Sequence, residues 1–154
     1  MERIKYPGYP GWMVVSDDRV ADEPVAEAMY SFVDAYDRAY EAAASAQDLS
    51  VAQVCVLVRL CEPRAMGSLA IELQCDASNI TQIVNRLESR GLVAREADPT
   101  DRRARLLRLT RDGRRAVRSF ERAFAFSRDA IVRLSPEEGR VLIHLLGKAL
   151  GKQA

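Results

Sequence analysis

The segment from Asp76 to Thr110 restricts the folds open to this 154-residue chain more than any other segment does. Its first part, residues 77–90, predicts a helix, because apolar side chains recur at every third or fourth position. These positions are Ile80, Ile83, Val84 and Leu87. Asp76 can cap this helix by accepting hydrogen bonds from the free amides of the first turn, and Gly91 provides a left-handed stop. The segment therefore begins with an amphipathic helix that has a defined start and end.

A β-hairpin is predicted directly after this helix. Residues 92–97 and 104–110 both favour strands, and leucine alternates with arginine in the second. The connecting residues D-P-T-D-R-R favour a turn, because Asp98 and Pro99 are typical turn formers. The tip and the return strand carry Asp101, Arg102, Arg103 and Arg105. A short helix predicted at residues 68–73 precedes the longer one, so the region as a whole predicts a winged helix-turn-helix.

The polar face of the predicted helix 77–90 carries hydrogen-bonding groups and few charges. The residues on and beside this face are Ser78, Asn79, Thr81, Gln82, Asn85 and Arg86. Asn, Gln and Arg are the side chains that read adenine and guanine edges bidentately, whereas an ordinary solvated face carries Glu and Lys. We therefore predict that this helix enters the major groove of double-stranded DNA; a merely solvated polar surface is the alternative. The hairpin arginines would then reach the minor groove or the phosphate backbone.

The distribution of charge also favours contact with a polyanion. The formal net charge is only +1, but basic and acidic residues are segregated along the chain. Residues 86–118 contain eleven basic residues, all of them arginines, and five acidic ones, whereas residues 1–85 contain six basic and thirteen acidic residues. Arginine favours phosphate or base-edge contact because its guanidinium can bind two acceptors at once. A charge run that only faces solvent is the alternative interpretation.

The rest of the chain predicts a helical scaffold in three parts. Residues 1–19, rich in Pro, Gly and aromatic residues, are expected to form an extended arm or a disordered tail. We predict that residues 20–47 and 111–152 form a helical dimerisation region and that residues 48–110 form the DNA-binding domain. The first and last helices carry more apolar surface than one small winged domain can cover, which favours burial against a second copy of the chain.

Six helices and a two-stranded wing are predicted, which gives a mainly α fold of the α+β winged-helix type. Capping boxes are expected where Ser50 opens S-x-x-Q and where Ser135 opens S-P-x-E. Thr110 can cap a further helix, and residues 111–133 predict that this helix is long and uninterrupted. Such a helix would reach from the winged domain to another part of the molecule.

Two aromatic residues and three cysteines are the remaining candidates for a special role. Tyr36 and Tyr40 lie on the apolar stripe of the first helix; such a stripe is typical of a core, and a share in a ligand pocket is the alternative. Cys55, Cys61 and Cys75 are odd in number and lack C-x-x-C spacing, which predicts neither a disulfide framework nor a zinc site. The first two fall within an almost wholly apolar predicted helix, so we expect buried, reduced thiols rather than redox sensors.

Several classes of protein are not expected from this sequence. No apolar run approaches the roughly 18–20 residues that span a bilayer, and the N-terminus lacks a signal-peptide apolar core, so a cytoplasmic protein without membrane contact is expected. His144 is the single histidine. With one histidine, no metal-ligand spacing and no glycine-rich phosphate loop, we expect no enzyme activity and no cofactor.

The hairpin and the helices around it resemble the MarR family, the multiple-antibiotic-resistance regulators of bacteria. The family's D-x-R and L-T-x-x-G elements match Asp101, Arg103, Leu109, Thr110 and Gly113. The recognition-helix sequence D-A-S-N-I-T-Q-I-V-N-R-L-E-S-R-G-L-V and the L-S-P-E-E of the last helix are also similar. The resemblance in layout covers about residues 22–150.

This resemblance implies a transcriptional repressor that binds a pseudo-palindromic operator as a homodimer with interlocked terminal helices. By analogy, the residues that meet bases or phosphates would be Ser78, Asn79, Gln82 and Arg86, with Arg103 in the minor groove. Many relatives release DNA when a small aromatic or lipophilic compound binds, and some release it when a cysteine is oxidised. Tyr36 and Tyr40 are the candidate contacts for such an effector.

Two features depart from the family pattern. Gln74 stands where the family usually has glycine, so the turn of the helix-turn-helix is expected to be strained or differently shaped. The aromatic N-terminal arm is longer than is typical. A winged-helix module for protein-protein assembly, without an operator, is the competing function, and the excess of arginine disfavours it.

Overall fold

A computed structural model describes residues 23–98 and 105–152 of the chain. These residues form seven helices and three short strands in a mainly α arrangement, and the predicted winged-helix class is confirmed. In chain order the elements are α1 (Glu23–Ser45), α2 (Val51–Arg59), β1 (Arg64–Ala65), α3 (Met66–Glu72), α4 (Ala77–Ser89), β2 (Val93–Ala97), β3 (Arg105–Leu109), α5 (Arg111–Ala123), α6 (Phe126–Val132) and α7 (Pro136–Ala149). The predicted arm (1–19) and the predicted wing-tip residues Asp101, Arg102 and Arg103 lie outside the described residues.

The buried core lies in one of two compact units. The chain divides into Met1–Ala35 and Tyr36–Ala154, and every buried apolar residue of the described part belongs to the second unit. The side chains that are almost wholly shielded from solvent are Val54, Val56, Leu57, Leu60, Leu69, Ile80, Val84, Leu87 and Leu107. They come from α2 and the residue that follows it, α3, α4 and β3, so the helix-turn-helix and its wing share one core.

The prediction of one uninterrupted helix over residues 111–133 is wrong. The chain forms two helices there, α5 and α6. Phe124 leaves the helical conformation with ψ 78°, although its amide still donates to the carbonyl of Phe120. Its ring packs edge-on against Tyr36 at 5.1 Å and against Tyr40 at 5.2 Å between ring centroids. Tertiary packing of one aromatic ring therefore accompanies a break that the helical periodicity did not indicate.

The sheet has one more strand than the predicted two-stranded wing. Its order is β1-β3-β2, and both pairs are antiparallel. Val93 pairs with Leu109 at the base of the hairpin, and Arg64 of β1 pairs with Leu107 of β3. A two-residue strand such as β1 is too short to show an alternating pattern, so sequence periodicity could not reveal it.

The helix caps agree with the sequence in two places and differ in a third. Ser50 and Ser135 each form the predicted capping box. The backbone amide of Ser135 donates to the Glu138 carboxylate at 2.8 Å, and this hydrogen bond lowers the pKa of Glu138. The predicted side-chain cap at Asp76 is wrong: Asp76 has the extended backbone of an N-cap residue, but its carboxylate makes no capping hydrogen bond and stays exposed. Water can serve the first amides of α4 instead.

The expected strain in the turn at Gln74 is confirmed. Gln74 lies between α3 and α4 with φ +50°, the left-handed region that favours glycine. The turn closes through two backbone hydrogen bonds, from the amide of Gln74 to Ile71 and from the amide of Cys75 to Ala70, at 3.2 and 3.0 Å. Because these bonds need the left-handed residue, the chain accepts an unfavourable conformation at this position.

We expect Gln74→Gly to stabilise the fold by about 0.5–1 kcal/mol, since relief of a left-handed side chain (about 1–2 kcal/mol) exceeds the entropic cost of glycine (about 0.4–1 kcal/mol). Urea denaturation measures the change. Asp48→Gly is the matched control, because Asp48 also has positive φ, at +53°, and aspartate tolerates this conformation better, so its gain should be smaller. A lower unfolding midpoint for Gln74→Gly would contradict the prediction.

Candidate nucleic-acid interface

Helix α4 is held against the core along one side only. Ile80, Val84 and Leu87 are fully buried, and Ile83 is nearly so. The same four positions gave the helical periodicity in the sequence, so this part of the prediction is confirmed. The opposite face of the helix is consequently left free to meet a partner.

Four of the predicted contact residues on α4 are exposed and make no side-chain hydrogen bond within the described part of the chain. They are Ser78, Asn79, Gln82 and Arg86. Polar groups that are open to solvent and not engaged by the protein can exchange water for base edges or phosphate oxygens at little structural cost. The structure thus brings together on one surface the side chains that the sequence selected.

Thr81 and Asn85 differ from these four because the protein itself engages them. The Thr81 hydroxyl donates to the carbonyl of Ala77 at 2.7 Å and lies 3.2 Å from the sulfur of Met66 in α3, so this side chain is half-buried. Asn85 is exposed, but its Oδ1 accepts a hydrogen bond from Arg95 of β2 at 2.6 Å. These two residues line the flank of α4 that faces its neighbouring elements.

The wing strands carry arginines that are tied to carboxylates. Arg95 lies 3.4 Å from Glu88 of α4, and Arg108 of β3 lies 3.0 Å from Glu96 of β2. Arg105 begins β3 and is exposed, opposite Ala97. Sequence reasoning missed the roles of Arg95 and Glu88, because nothing in the local pattern shows that a strand residue will meet a helix residue seven to ten positions earlier. Strand β2 of the wing is therefore connected to α4, the candidate recognition helix, by the side-chain contacts of Arg95.

The L-T-x-x-G element fixes the end of the wing to the start of α5. The amide of Thr110 donates to the carbonyl of Leu92 at 3.1 Å, and its hydroxyl donates to the carbonyl of Gly91 at 2.7 Å. The same hydroxyl accepts from the amide of Gly113 at 3.0 Å, which confirms the predicted cap. Gly113 is buried so tightly that a Cβ atom placed on it would lie 2.0 Å from the carbonyl oxygen of Leu92. The glycine of this element is required by close backbone approach.

An aromatic cluster forms around the two predicted effector contacts. The rings of Tyr36 and Tyr40 have centroids 6.2 Å apart, and three rings pack around them, those of Phe120, Phe124 and Phe126. The Tyr40 hydroxyl lies 3.6 Å from the Cys55 sulfur. Burial, together with this hydrogen bond, raises the pKa of Tyr40 above its ordinary value. The cluster is an apolar site with one polar contact.

The cysteines are placed differently from one another. Cys55 is half-buried beneath Tyr40, whereas Cys61 is exposed beyond the end of α2. The prediction that Cys61 lies within a buried helix is thus wrong, because the helix ends at Arg59 and the chain turns before β1. Cys75 is half-buried, and its thiol donates to the carbonyl of Leu73 at 3.2 Å.

A charge network links α2, α3 and β1 and was also missed by sequence reasoning. Glu72 binds Arg59 at 3.2 Å and Arg64 at 2.8 Å, and Arg59 also donates to the carbonyl of Cys55 at 3.1 Å. These side chains are about a third exposed, so each pair contributes modestly to stability, on the order of 1 kcal/mol or less. The geometry of the contacts nevertheless orients α3 relative to α2.

The described residues contain neither a candidate metal site nor a candidate membrane span. Residues 23–98 and 105–152 contain no group of three or more His, Cys, Asp or Glu side chains that could hold a metal ion. Over the same ranges, no helix has both the length and the apolar character needed to cross a membrane.

Comparison with known proteins agrees with this geometry. A model of the MarR family matches residues 49–104. A protein of Thauera aromatica, named as a transcriptional regulatory protein for the hcr operon, is 39% identical over 83 residues, which are 53% of this chain and 50% of that protein. The uncharacterized HTH-type transcriptional regulator YdgJ of Bacillus subtilis is 32% identical over 85 residues, which are 54% of this chain and 52% of that protein. The chain thus spans about half the length of these two relatives.

The fold comparison extends further along the chain. A crystal structure of a mutant of MarR from E. coli in complex with operator DNA is similar with a TM-score of 0.64 at 26% identity, and the match covers 88% of this chain and 99% of that one. The fold and the exposed face of α4 define a winged helix-turn-helix protein. Residues 49–104 match the MarR family model, and the chain shares the fold of MarR from E. coli.

Proposed function

We propose that this chain is a repressor that binds a pseudo-palindromic DNA operator as a homodimer. The observation that carries the proposal is the exposed face of α4, where Ser78, Asn79, Gln82 and Arg86 present hydrogen-bonding groups that the protein does not use itself. Such a helix fits the major groove, whose base pairs each show a distinct pattern of donors and acceptors. The operator in the complex of the related MarR supports this reading by analogy.

The arginine-rich wing supplies the sequence-independent part of binding in this proposal. Residues 86–118 hold eleven arginines, and Arg105 is exposed at the start of β3. Arg102 and Arg103, with Asp101 beside them, are proposed to reach the minor groove or backbone. Phosphate contacts of this kind fix the register of a protein on DNA, whereas base contacts specify the sequence. The proposed action is binding, with no chemical step.

Dimerisation is proposed to occur through the terminal helices, with residues 20–47 and 111–152 as the dimerisation region and residues 48–110 as the DNA-binding domain. In α7 the apolar side chains of Val141, Leu142, Ile143, Leu145 and Leu146 are all exposed. In the first half of α1, Val25, Met29, Phe32 and Val33 are exposed as well. Apolar faces of this extent favour burial against a second copy, because removing apolar surface from water stabilises by about 25 cal/mol per Å².

The aromatic cluster at Tyr36 and Tyr40 is the proposed site for a small aromatic or lipophilic effector. Five aromatic rings that contact one another edge-on or stacked offer the surface that such a compound prefers. The effect of a compound bound at this cluster would be transmitted to α2 through Tyr40, whose hydroxyl contacts the sulfur of Cys55 in that helix. An effector that binds the DNA-free state more tightly would release the operator.

Selection of bound fragments from genomic DNA tests the function. We expect the full-length protein to enrich a defined palindromic site at physiological salt. The affinity for that site should fall steeply as salt rises, with a log-log slope of roughly −0.9 for each phosphate neutralised. Fragments bound without sequence preference would instead favour a winged-helix module used for protein-protein assembly. Light scattering on the same sample should give a dimer, that is, twice the chain mass of 17.2 kDa.

A further inference from the structure

Within the proposed operator complex, the contact of Arg95 on β2 with Asn85 on α4 changes which bases α4 can recognise. Arg95 of β2 donates to Oδ1 of Asn85 at 2.6 Å, and its Nε lies 3.4 Å from a carboxylate oxygen of Glu88. A guanidinium can only donate hydrogen bonds, so the amide atom that faces it must be the oxygen. The orientation of the Asn85 amide is therefore set by the chemistry of its partner.

This contact leaves Asn85 with its donor group toward an incoming ligand. One lone pair of Oδ1 accepts the hydrogen bond from Arg95, so the positive charge of the guanidinium lies close to this oxygen. A second donor that approaches this oxygen, such as the N6 amino group of adenine or the N4 amino group of cytosine, would meet that charge. An acceptor that approaches the NH₂ group of Asn85 would be attracted by the same charge.

We propose that Arg95 positions Asn85 so that the pair meets DNA only as hydrogen-bond donors, toward guanine O6 and N7 or toward a phosphate oxygen. A free asparagine on a recognition helix pairs bidentately with adenine, because it offers an acceptor and a donor side by side. Here that acceptor already takes a hydrogen bond from Arg95, whose positive charge disfavours a second donor at the same oxygen. The wing thus determines the base preference of a residue on α4, and this inference rests on the proposed operator binding.

The wing-helix contact is well placed for this role. Asn85 is exposed on α4, one turn beyond Gln82, so it lies at the edge of the surface formed by the four unengaged side chains. Glu88 holds the guanidinium from the other side and lies one turn nearer the end of the helix. With partners on both sides, Arg95 loses little further side-chain freedom when DNA binds.

The test compares operator preferences selected from random duplexes by four full-length proteins: the wild type, Asn85→Ala, Arg95→Ala and the double variant. We expect Asn85→Ala to weaken binding about tenfold, the range of one good side-chain contact to DNA. Arg95→Ala should allow adenine at one symmetry-related pair of operator positions, because the Asn85 amide can then rotate. This new preference should vanish in the double variant. Loss of a guanine preference in Asn85→Ala identifies a base contact, and a uniform loss identifies a phosphate contact; both support the inference.

Arg108→Ala is the matched control, since Arg108 lies on the neighbouring strand and is also paired with a carboxylate, at 3.0 Å from Glu96. This variant loses the same charge as Arg95→Ala, but its base preference should match that of the wild type. The inference is overturned if the wild type already requires adenine at the positions that depend on Asn85, or if the Asn85→Ala loss is the same with and without Arg95. If the wild type selects an operator and Asn85→Ala changes nothing, only this inference fails; if the wild type selects no operator, the proposed function fails with it.

Discussion

Replacing Gly113 with alanine should destabilise the fold by about 3 kcal/mol or more. The added Cβ would lie 2.0 Å from the carbonyl oxygen of Leu92, 3.0 Å from its carbonyl carbon and 3.2 Å from a methyl group of Leu109. The nearest atoms belong to the backbone, and the carbonyl already accepts from the amide of Thr110, so the backbone at Leu92 and α5 must separate for the methyl group to fit. Urea denaturation followed by circular dichroism measures the loss.

Gly67→Ala gives the matched control, because nothing lies within 4 Å of a Cβ placed on this glycine in α3. Alanine is the better helix former, so this variant should be neutral or stabilised by up to about 1 kcal/mol. If the two variants unfolded at the same urea concentration, the close approach at Gly113 would not contribute to the free energy of unfolding. The comparison separates the steric effect from helix propensity, since both glycines lie in helices.

The sequence was sufficient to predict the elements whose residues repeat at a regular interval. The apolar positions of α4 defined the buried face of that helix, and the capping boxes at Ser50 and Ser135 located the starts of α2 and α7. The left-handed residue after α4 was also predicted, and Gly91 has φ +69°. These features depend on neighbours within a few residues along the chain, which a linear pattern contains.

The features that the sequence could not predict depend on partners that are distant or irregular. The break between α5 and α6 coincides with the packing of Phe124 on Tyr36 and Tyr40, more than eighty positions earlier. The side-chain cap expected at Asp76 does not form, although the residue type and position are right. The type of a residue limits the interactions that its side chain can form, and the tertiary structure determines which of them form.

The candidate site shows the same division. The polar face of α4 was found from residue type and helical position alone, and the structure leaves Ser78, Asn79, Gln82 and Arg86 exposed and unengaged, as a contact surface requires. The engagement of Asn85 by Arg95 was not predicted, because it depends on the position of β2 beside α4. The sequence therefore identified the surface, and the structure divides it into free and held side chains.

Arg86→Ala should weaken binding to the selected operator by about 1–3 kcal/mol, which is roughly 5- to 150-fold. Arg86 is exposed on α4 and makes no side-chain hydrogen bond within the described part of the chain. Its guanidinium can therefore bind guanine or phosphate without first breaking a contact in the protein. Arg86→Lys should recover only part of the loss, because lysine keeps the charge but not the planar fork. Fluorescence anisotropy with operator and scrambled duplexes measures both variants.

Arg90→Ala separates sequence readout from simple charge in this experiment. Arg90 lies one turn further along, is also exposed, and donates to the backbone carbonyl of Asp48, so its loss removes the same charge from a residue that is already engaged. Both variants should bind the scrambled duplex slightly more weakly, because each removes one positive charge. Only Arg86→Ala should reduce the ratio of operator to scrambled affinity. Equal losses in the two variants would mean that Arg86 contributes charge alone, and sequence preference would then have to come from Ser78, Asn79, Gln82 and Asn85.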